Sequence, residues 1–342
     1  MAVNTFNEPK LEPLSVGVFN GKGGVGKTTI TANVAGLAAA AGSRALIIDM
    51  DPQGNLCRDL GYEPRDGSEL FSALLAGTTP PLITNVGGRE GLDVVPGGAA
   101  LFDLSAVMIS RQQRSTGATL GEMLLASIRF IEHDYDLIVF DTPPGDLAII
   151  DAVMEIVSAV VIPVRPDDAS IDGLETIAAR FQYAREGDPV RRIPAANSFL
   201  QLAGVLLFGV GSRSTKLEAQ VRGSIAEIIG DAAPVFDSRI RYMESTAYDA
   251  RHRGLLIHEL EIRAEDSKVE RFAALRLGHK IHDALLTRNA SGLAEDFQDL
   301  TREILIRLSE LAELTEHARH QAELAELAVQ QADQLGEQEV SA

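Results

Sequence analysis

Short apolar runs recur along the first two thirds of the chain, and a longer segment of mixed polarity follows most of them. The runs hold five to eight residues and are apolar almost throughout. This pattern is typical of strands that are buried on both faces of a parallel sheet. It predicts six strands: LSVGVF (14–19), RALIID (44–49), LDVVP (92–96), DLIVFD (136–141), AVVIPV (159–164) and AGVLLFGV (203–210).

Segments of helical length lie between these strands, among them residues 28–41, 116–133 and 170–186. Alternation of strand and helix predicts an α/β fold with a doubly wound, mainly parallel sheet, flanked by helices that cross over with the right hand. In such folds ligands bind at the carboxyl ends of the strands. The residues that follow the strands are therefore the first candidates for a functional site.

The last part of the chain, residues 289–342, has a different character. From Ser291 onward it contains no Pro and only two Gly, and it is rich in Glu, Ala, Leu and Gln. We interpret it as an acidic helical extension that either packs on its own domain or forms a coiled coil with a second copy or a partner. A heptad seam supports a helix here, formed by Ile304, Leu308, Leu311, Thr315, Ala318, Ala322, Ala325 and Val329.

Composition and charge narrow the class of protein. The 342 residues are 45% hydrophobic and carry a net charge of −18, of which 12 acidic residues and 3 Arg after residue 289 supply −9. The acidic balance argues against general affinity for nucleic acid, but only weakly, because local charged patches and not the net charge decide recognition.

The single cysteine, Cys57, excludes an internal disulfide and fits a reducing cytoplasm. No apolar run approaches the ~18 residues of a membrane-spanning helix, and residues 1–13 look like a flexible leader rather than a signal peptide.

The segment FNGKGGVGKTT (19–29) has the spacing of a phosphate-binding loop. Gly21 is followed after four residues by Gly26, Lys27 and Thr28, and the loop lies between a predicted strand and a predicted helix. Glycines let successive backbone N–H groups point at phosphate oxygens, and the helix N-terminus adds its positive dipole. We expect Lys27 to neutralise the β- and γ-phosphates and the Thr28 hydroxyl to ligate Mg²⁺.

Acidic residues end two other predicted strands. Asp141 follows four apolar residues, the last of which is Phe140, the arrangement of a Walker B aspartate that holds the water shell of Mg²⁺. Asp49 and Asp51 lie two residues apart, so an extended chain projects them to the same side. Carboxylates beside a triphosphate are costly unless Mg²⁺ or lysine neutralises them. At least one of this pair is therefore expected to act in catalysis.

These segments resemble those of a known family. In this order, KGGVGKTT (22–29), DMDPQGN (49–55) and DLIVFDTPPG (136–145) are similar to the deviant Walker A ATPases of the ParA/MinD group, and to ParA-type partition ATPases most of all. Weaker similarity extends over residues 14–285. We therefore predict a P-loop ATPase domain at residues 14–288, with ATP and Mg²⁺ as cofactors.

The resemblance implies a role for each site residue. Lys22, the additional lysine, would reach across an ATP-bound dimer to the partner's phosphates, where a cation in trans acts as an arginine finger does. Asp51 would orient the attacking water, and Asp49 would support Mg²⁺ or the lysine. The catalytic set is then Lys22, Lys27 and Asp51, and the metal set is Thr28, Asp49 and Asp141. The nucleotide-binding set is Gly21, Lys22, Gly23, Gly24, Val25, Gly26, Lys27, Thr28 and Thr29.

One segment departs from the family. After the last predicted strand the chain has Phe208-Gly209-Val210-Gly211, where family members usually have a turn with Asn, Thr or Asp. We assign no contact to the base or ribose from this region.

Charge also bears on partners. The acidic extension would be repelled by anionic lipid, so we predict no membrane partner. Residues 179–222 hold seven basic and three acidic residues, which suit phosphate contacts to nonspecific DNA, although solvated helix faces and internal ion pairs explain them equally well. The DNA-contact candidates are Arg191, Arg192, Arg213, Lys216 and Arg222.

Two functions remain open from the sequence. The resemblance implies an ATP-dependent homodimer that binds the nucleoid in the cytoplasm and segregates a plasmid or chromosome with a ParB-like, centromere-binding partner that stimulates hydrolysis. The alternative is a positioning or assembly ATPase of the same fold that acts on a protein cargo or scaffold, with the acidic helix as its docking element.

Overall fold

The computed structural model describes residues 11, 14–112, 117–211, 215–230, 234–277, 287 and 290–340. Within these residues seven strands form one sheet. They are β1 (Leu14–Val18), β2 (Ala45–Asp49), β3 (Leu92–Val95), β4 (Leu137–Asp141), β5 (Ala159–Val164), β6 (Gln201–Val210) and β7 (Val235–Arg241).

All neighbouring strands of this sheet pair in parallel, in the order β3-β2-β4-β1-β5-β6-β7. Eleven α-helices lie in the described part of the chain, and their bounds are α1 (Lys27–Ala40), α2 (Leu56–Leu60), α3 (Ser68–Ala76), α4 (Leu104–Gln112), α5 (Leu120–Ile128), α6 (Leu147–Ile156), α7 (Asp168–Glu186), α8 (Thr215–Ile229), α9 (Glu244–Arg253), α10 (Ile257–Leu277) and α11 (Ser291–Val340). The predicted fold class is confirmed.

The apolar pattern located six strands correctly but missed β7. The sequence of β7, VFDSRIR, mixes polar and apolar residues, and several of its side chains are only half-buried. An edge strand has one neighbouring strand and needs less apolar surface than a central one, which explains the weaker signal. The helix predicted at 116–133 is shorter than expected. Its described part, α5, begins after Thr119, whose hydroxyl accepts from the backbone N–H of Glu122 in a capping box.

Two apolar layers cover the two faces of the sheet. One contains side chains from α5, α6, α7 and α8, together with Phe140 of β4 and Leu11, the one described residue of the predicted leader. The other contains side chains from α1, α9, α10 and α11. No described helix is both long enough and apolar enough to cross a lipid bilayer.

The first half of α11 packs on the body of the protein. Phe297, Ile304 and Leu308 are almost completely buried against the layer that contains α1, whereas Leu314 is 64% exposed. The seam therefore serves intramolecular packing as far as Leu311. Ala318, Ala322, Ala325 and Val329 lie outside the described side chains, and the division of the chain into domains stays a prediction.

Carboxylates on α11 also satisfy the outer edge of the sheet. Glu303 accepts hydrogen bonds from the backbone N–H groups of Asp237 and Ser238 at 2.8 and 2.9 Å, and Asp296 accepts from that of Arg241 at 2.9 Å. Asp296 additionally forms a bidentate pair with the Arg241 guanidinium. Because unpaired edge groups invite association with other strands, this helix protects β7 from edge-to-edge pairing.

Truncating a seam residue should therefore reduce the stability of the protein itself. Leu308→Ala is expected to lower the free energy of unfolding by about 2–5 kcal/mol, as burial of a leucine in a packed core implies. The matched change Leu314→Ala should alter it by no more than ~0.5 kcal/mol. Urea unfolding followed by circular dichroism measures both. Equal effects of the two variants would contradict the packing of α11 on the body.

Candidate functional site

The strand order brings three strand ends together. Val18, the last residue of β1, lies opposite Asp141 at the end of β4, and Asp141 lies opposite Asp49 at the end of β2. The predicted phosphate-binding loop follows β1 directly and leads into α1. Two residues that are far apart in sequence, Asp49 and Asp141, thus stand side by side next to this loop.

Glycines shape the loop where no side chain fits. Gly24 and Gly26 have φ of 77° and 86°, in the left-handed region that favours glycine. At Gly26 a Cβ would lie 2.3 Å from the ring of Phe208. The aromatic residue that departs from the family pattern therefore packs directly on the last glycine of the loop.

Lys27 begins α1 and folds back over the loop. Its Nζ donates to the carbonyl oxygens of Asn20 at 3.2 Å and Lys22 at 3.0 Å. Burial lowers the pKa of Lys27, and the carboxylates of Asp141 and Asp51 partly offset that effect. The lysine thus lies inside the loop, where it would meet the β- and γ-phosphates of a bound nucleotide.

Asp49 and Asp141 are buried with carboxylate oxygens that lack partners. Both oxygens of Asp141 and Oδ2 of Asp49 have no hydrogen bond among the described residues, while Oδ1 of Asp49 accepts from the backbone N–H of Asp51 at 3.0 Å. Burial raises the pKa of Asp141 to about 7; the Thr28 hydroxyl, which is nearby but outside hydrogen-bond geometry, limits the rise. Burial and the neighbouring Asp141 raise the pKa of Asp49 well above its ordinary value.

Unpaired buried carboxylates fit a hydrated cation. Mg²⁺ prefers oxygen ligands, keeps several of its waters and is usually held by one or two carboxylates together with substrate phosphates. No cluster of three metal-ligating side chains exists in the described chain, and a nucleotide-borne Mg²⁺ needs none. Thr28, Asp49 and Asp141 are accordingly the residues that would hold it, directly or through water.

Asp51 stands beside this group in a turn of its own. Its Oδ1 accepts from the backbone N–H of Gln53 at 2.9 Å, and only 7% of the residue is exposed. Burial raises its pKa, whereas the hydrogen bond from Gln53 and the charge of Lys27 lower it. The turn thus fixes a carboxylate close to the loop lysine.

Lys22 differs from Lys27 in its surroundings. Its Nζ points away from the loop and donates to Oδ1 of Asp167 at 2.5 Å, and about a third of its side chain is exposed. The loop itself holds only the backbone of Lys22, whose N–H donates to Oδ1 of Asn20 at 2.8 Å. The side chain of the second lysine is therefore not engaged in its own loop.

Three residues that support the site were not predicted from the sequence. Asn20 anchors the loop to β5 by donating to the carbonyl oxygen of Pro163 at 2.8 Å. Asp59, which is buried, accepts from the Thr29 hydroxyl at 3.1 Å and pairs with Arg251. Asp167 caps α7. Of these only Asp167 had a recognisable signal, an acidic residue at the expected N-cap of a helix that follows a strand.

The candidate residues for DNA contact differ in exposure and in their internal contacts. Arg191, Arg192 and Lys216 are exposed. Arg222 pairs with Glu218 and donates to the carbonyl oxygen of Phe236, so its guanidinium is engaged internally. Arg213 lies outside the described residues.

The raised pKa of Asp141 predicts how stability depends on pH without nucleotide or Mg²⁺. A carboxyl with a folded pKa near 7 and an unfolded pKa of about 3.9 stabilises the folded state below pH ~4 and loses that contribution as pH rises towards 7. Asp141→Asn, which cannot ionise, should melt at a higher temperature than wild type at pH 8 and near the same temperature at about pH 3, below both pKa values. Asp103→Asn, at an exposed residue, is the control, and its difference in melting temperature from wild type should not depend on pH. A wild type that is more stable than Asp141→Asn at pH 8 would contradict the raised pKa of Asp141.

Comparisons with known proteins show which proteins this chain resembles. A family model described as an AAA domain matches residues 15–189, a little over half of the chain. The sporulation initiation inhibitor protein Soj of Bacillus subtilis is 26% identical over 253 residues, covering 71% of this chain and 94% of Soj. The chromosome partitioning protein ParA of Caulobacter vibrioides is 29% identical over 253 residues, covering 73% of this chain and 89% of ParA.

A solved structure has the same fold. The ATP complex of McdA from Cyanothece superposes with a TM-score of 0.59 at 19% sequence identity, covering 80% of this chain and 99% of McdA. With a family model over more than half of its length, and relatives matched over most of theirs, the chain belongs to the ParA/MinD family of P-loop ATPases and is a Mg²⁺-dependent ATPase with a role in partition or positioning.

Proposed function

We propose that the chain is a DNA-partition switch: an ATPase that dimerises when it holds ATP, binds nonspecific DNA as a dimer, and is reset when a ParB-like partner stimulates hydrolysis. The observation that carries the proposal is the pair of lysines at one loop. Lys27 supplies the cation inside the loop. The ammonium of Lys22 pairs instead with Asp167 on α7, and the lysine side chain is about a third exposed. A second cation that its own loop does not use is suited to the phosphates of another subunit.

Each group at the site has a definite part in hydrolysis. The loop amides and Lys27 hold the β- and γ-phosphates, and Thr28, Asp49 and Asp141 hold the cation. Bound Mg²⁺ supplies charge neutralisation of the phosphoryl oxygens. Asp51, fixed by its turn with Gln53, accepts a hydrogen bond from the attacking water and orients it towards the γ-phosphate.

Dimerisation follows from the position of Lys22. Brought to the partner's γ-phosphate, its ammonium would stabilise the charge that the transferred phosphoryl group carries in the transition state. Because this cation is available only when two ATP-loaded subunits meet, both hydrolysis and the DNA-bound state depend on the dimer. The proposal places the protein on the nucleoid, in the cytoplasm, without a membrane partner.

The loop between α7 and β6 is the best supported DNA contact. Asp188 and Ile193 exchange two backbone hydrogen bonds, and Oδ1 of Asp188 accepts from the N–H groups of Val190 and Arg191 at 2.9 Å. This compact turn leaves Arg191 and Arg192 exposed, and Arg191 Nε lies 3.6 Å from Oδ2 of Asp188. Arginines held in this way bind phosphates irrespective of sequence.

The alternative function is positioning or assembly on a protein scaffold. It is favoured by the net charge of −18 and by exposed carboxylates on the described part of α11, namely Glu295, Asp299, Glu310, Glu313 and Glu316. Such a surface repels DNA and suits a basic protein partner.

ATP-dependent DNA binding across a range of salt concentrations tests the proposal. Wild type with ATP and Mg²⁺ should bind duplexes of unrelated sequence alike, with affinity that falls steeply as salt rises. The double variant Arg191→Glu, Arg192→Glu should bind more weakly on every duplex. Its slope of log affinity against log salt should be shallower by about 0.9 for each phosphate that the variant no longer neutralises. Fluorescence anisotropy measures both quantities.

The control reverses a charge elsewhere on the surface. Arg302→Glu, at an exposed arginine of α11, should leave the slope unchanged. Absence of ATP-dependent binding by the wild type would favour the scaffold function, and an unchanged slope in the double variant would place DNA on another surface.

A further inference from the structure

We infer that Asp167 is a positioning residue for Lys22: it holds the lysine against its own subunit, and formation of the ATP dimer requires the lysine to leave it. The inference rests on the proposed role of Lys22 in trans. Its basis is the 2.5 Å contact between Lys22 Nζ and Asp167 Oδ1, made while the loop leaves that side chain otherwise unengaged.

The position of Asp167 is fixed by how α7 meets the loop. Oδ1 of Asp167 also accepts from the backbone N–H of Ser170 at 2.9 Å, which makes it the N-cap of α7. One turn later, Gly173 lies so close to the loop that a Cβ there would be 2.1 Å from Oδ1 of Asn20. Backbone packing of helix on loop thus sets the distance between the acid and the lysine.

The carboxylate remains ionised at neutral pH. Burial acts to raise the pKa of Asp167, but the hydrogen bonds from Lys22 and Ser170 lower it by more, so that its pKa lies below the ordinary value. A charged acid therefore faces a charged lysine whenever no partner is present. Both side chains are about a third exposed, so the attraction is moderate and sensitive to salt.

Arg165 eases the release of Lys22. Its Nε lies 4.0 Å from Oδ2 of Asp167, and its Nη1 donates to the carbonyl oxygen of Gly24 at 3.3 Å. When Lys22 departs, Asp167 keeps this guanidinium as a neighbour and still caps α7. The ion pair with Lys22 can thus open without leaving an unpaired charge in a buried place.

The ion pair between Lys22 and Asp167 opposes dimerisation until ATP is bound. A triphosphate carries several negative charges and outcompetes one carboxylate for an ammonium group, whereas an empty partner offers no such charge. Lys22 therefore stays on Asp167 until an ATP-loaded partner arrives. Removing the charge of Asp167 should strengthen the ATP dimer without altering how a single subunit binds ATP.

The test removes the charge of Asp167 but keeps a side chain that can cap α7. Asp167→Asn retains an N-capping side chain, and Asp168→Asn, at an exposed residue in the first turn of the same helix, removes the same charge as a control. Both are placed in an Asp51→Ala background, in which loss of the water-orienting carboxylate is expected to slow hydrolysis, and dimer dissociation constants with ATP and Mg²⁺ are measured by analytical ultracentrifugation. Should Asp167→Asn fail to fold, Asp167→Ser keeps the cap in another form.

We expect Asp167→Asn to lower the dimer dissociation constant by about two- to fivefold at low salt, the factor that a half-exposed ion pair provides. The difference should vanish at roughly 1 M salt, where the Debye length is about 3 Å. Affinity for ATP at concentrations too low for dimers should not change. A dimer that is unaltered or weakened by Asp167→Asn, or altered equally by Asp168→Asn, would overturn the inference.

A separate arm distinguishes this inference from the proposed function. Lys22→Ala should bind ATP as a monomer and form no ATP dimer. If Lys22→Ala dimerises normally, the role of the lysine in trans is wrong and the inference falls with it. If Lys22→Ala loses the dimer while Asp167→Asn changes nothing, the proposed function stands and only the role of Asp167 is wrong.

Discussion

The site depends on one topological constraint, the insertion of β4 between β1 and β2. This order places Asp141 next to the end of β1 on one side and next to Asp49 on the other. The result is a pair of buried carboxylates at the mouth of the phosphate-binding loop, opposed by the ammonium of Lys27. Like charges so placed are unfavourable without a counter-ion, and the bound cation and nucleotide relieve them.

The loop is also held by contacts with β5 and α7. Asn20 ties it to β5, and α7 rests on it through Gly173. The nucleotide site, the N-terminus of α7 and the second lysine thus form one packed unit.

Much of this could be predicted from the sequence. Central strands are apolar throughout, so their pattern is clear, and the spacing of Gly21, Gly26 and Lys27 identifies the loop. The strand-end position of Asp141 and the short separation of Asp49 and Asp51 were also visible. The structure places these residues together as expected, and their individual roles stay predictions.

Other features depend on contacts that leave no local pattern. The edge strand β7 has mixed polarity because a strand at the sheet edge needs less apolar surface than a central one. A heptad seam, in turn, does not say which surface it covers. The partner of Lys22 lies 145 residues away along the chain, and sequence spacing gives no hint of that distance. Phe208 looked only like a departure from the family, whereas its ring packs on Gly26.

The central claim is that buried, partly protonated carboxylates receive the cation together with the nucleotide. The most direct measurement is proton release on binding of ATP with Mg²⁺ at pH 7, obtained by calorimetry in buffers of different ionisation enthalpy. Asp141→Asn serves as the reference, so that protons lost by the nucleotide itself cancel. The account predicts that wild type releases more protons than this variant when Mg²⁺ is present, and no more when it is absent. Equal release by the two proteins with Mg²⁺ would contradict it.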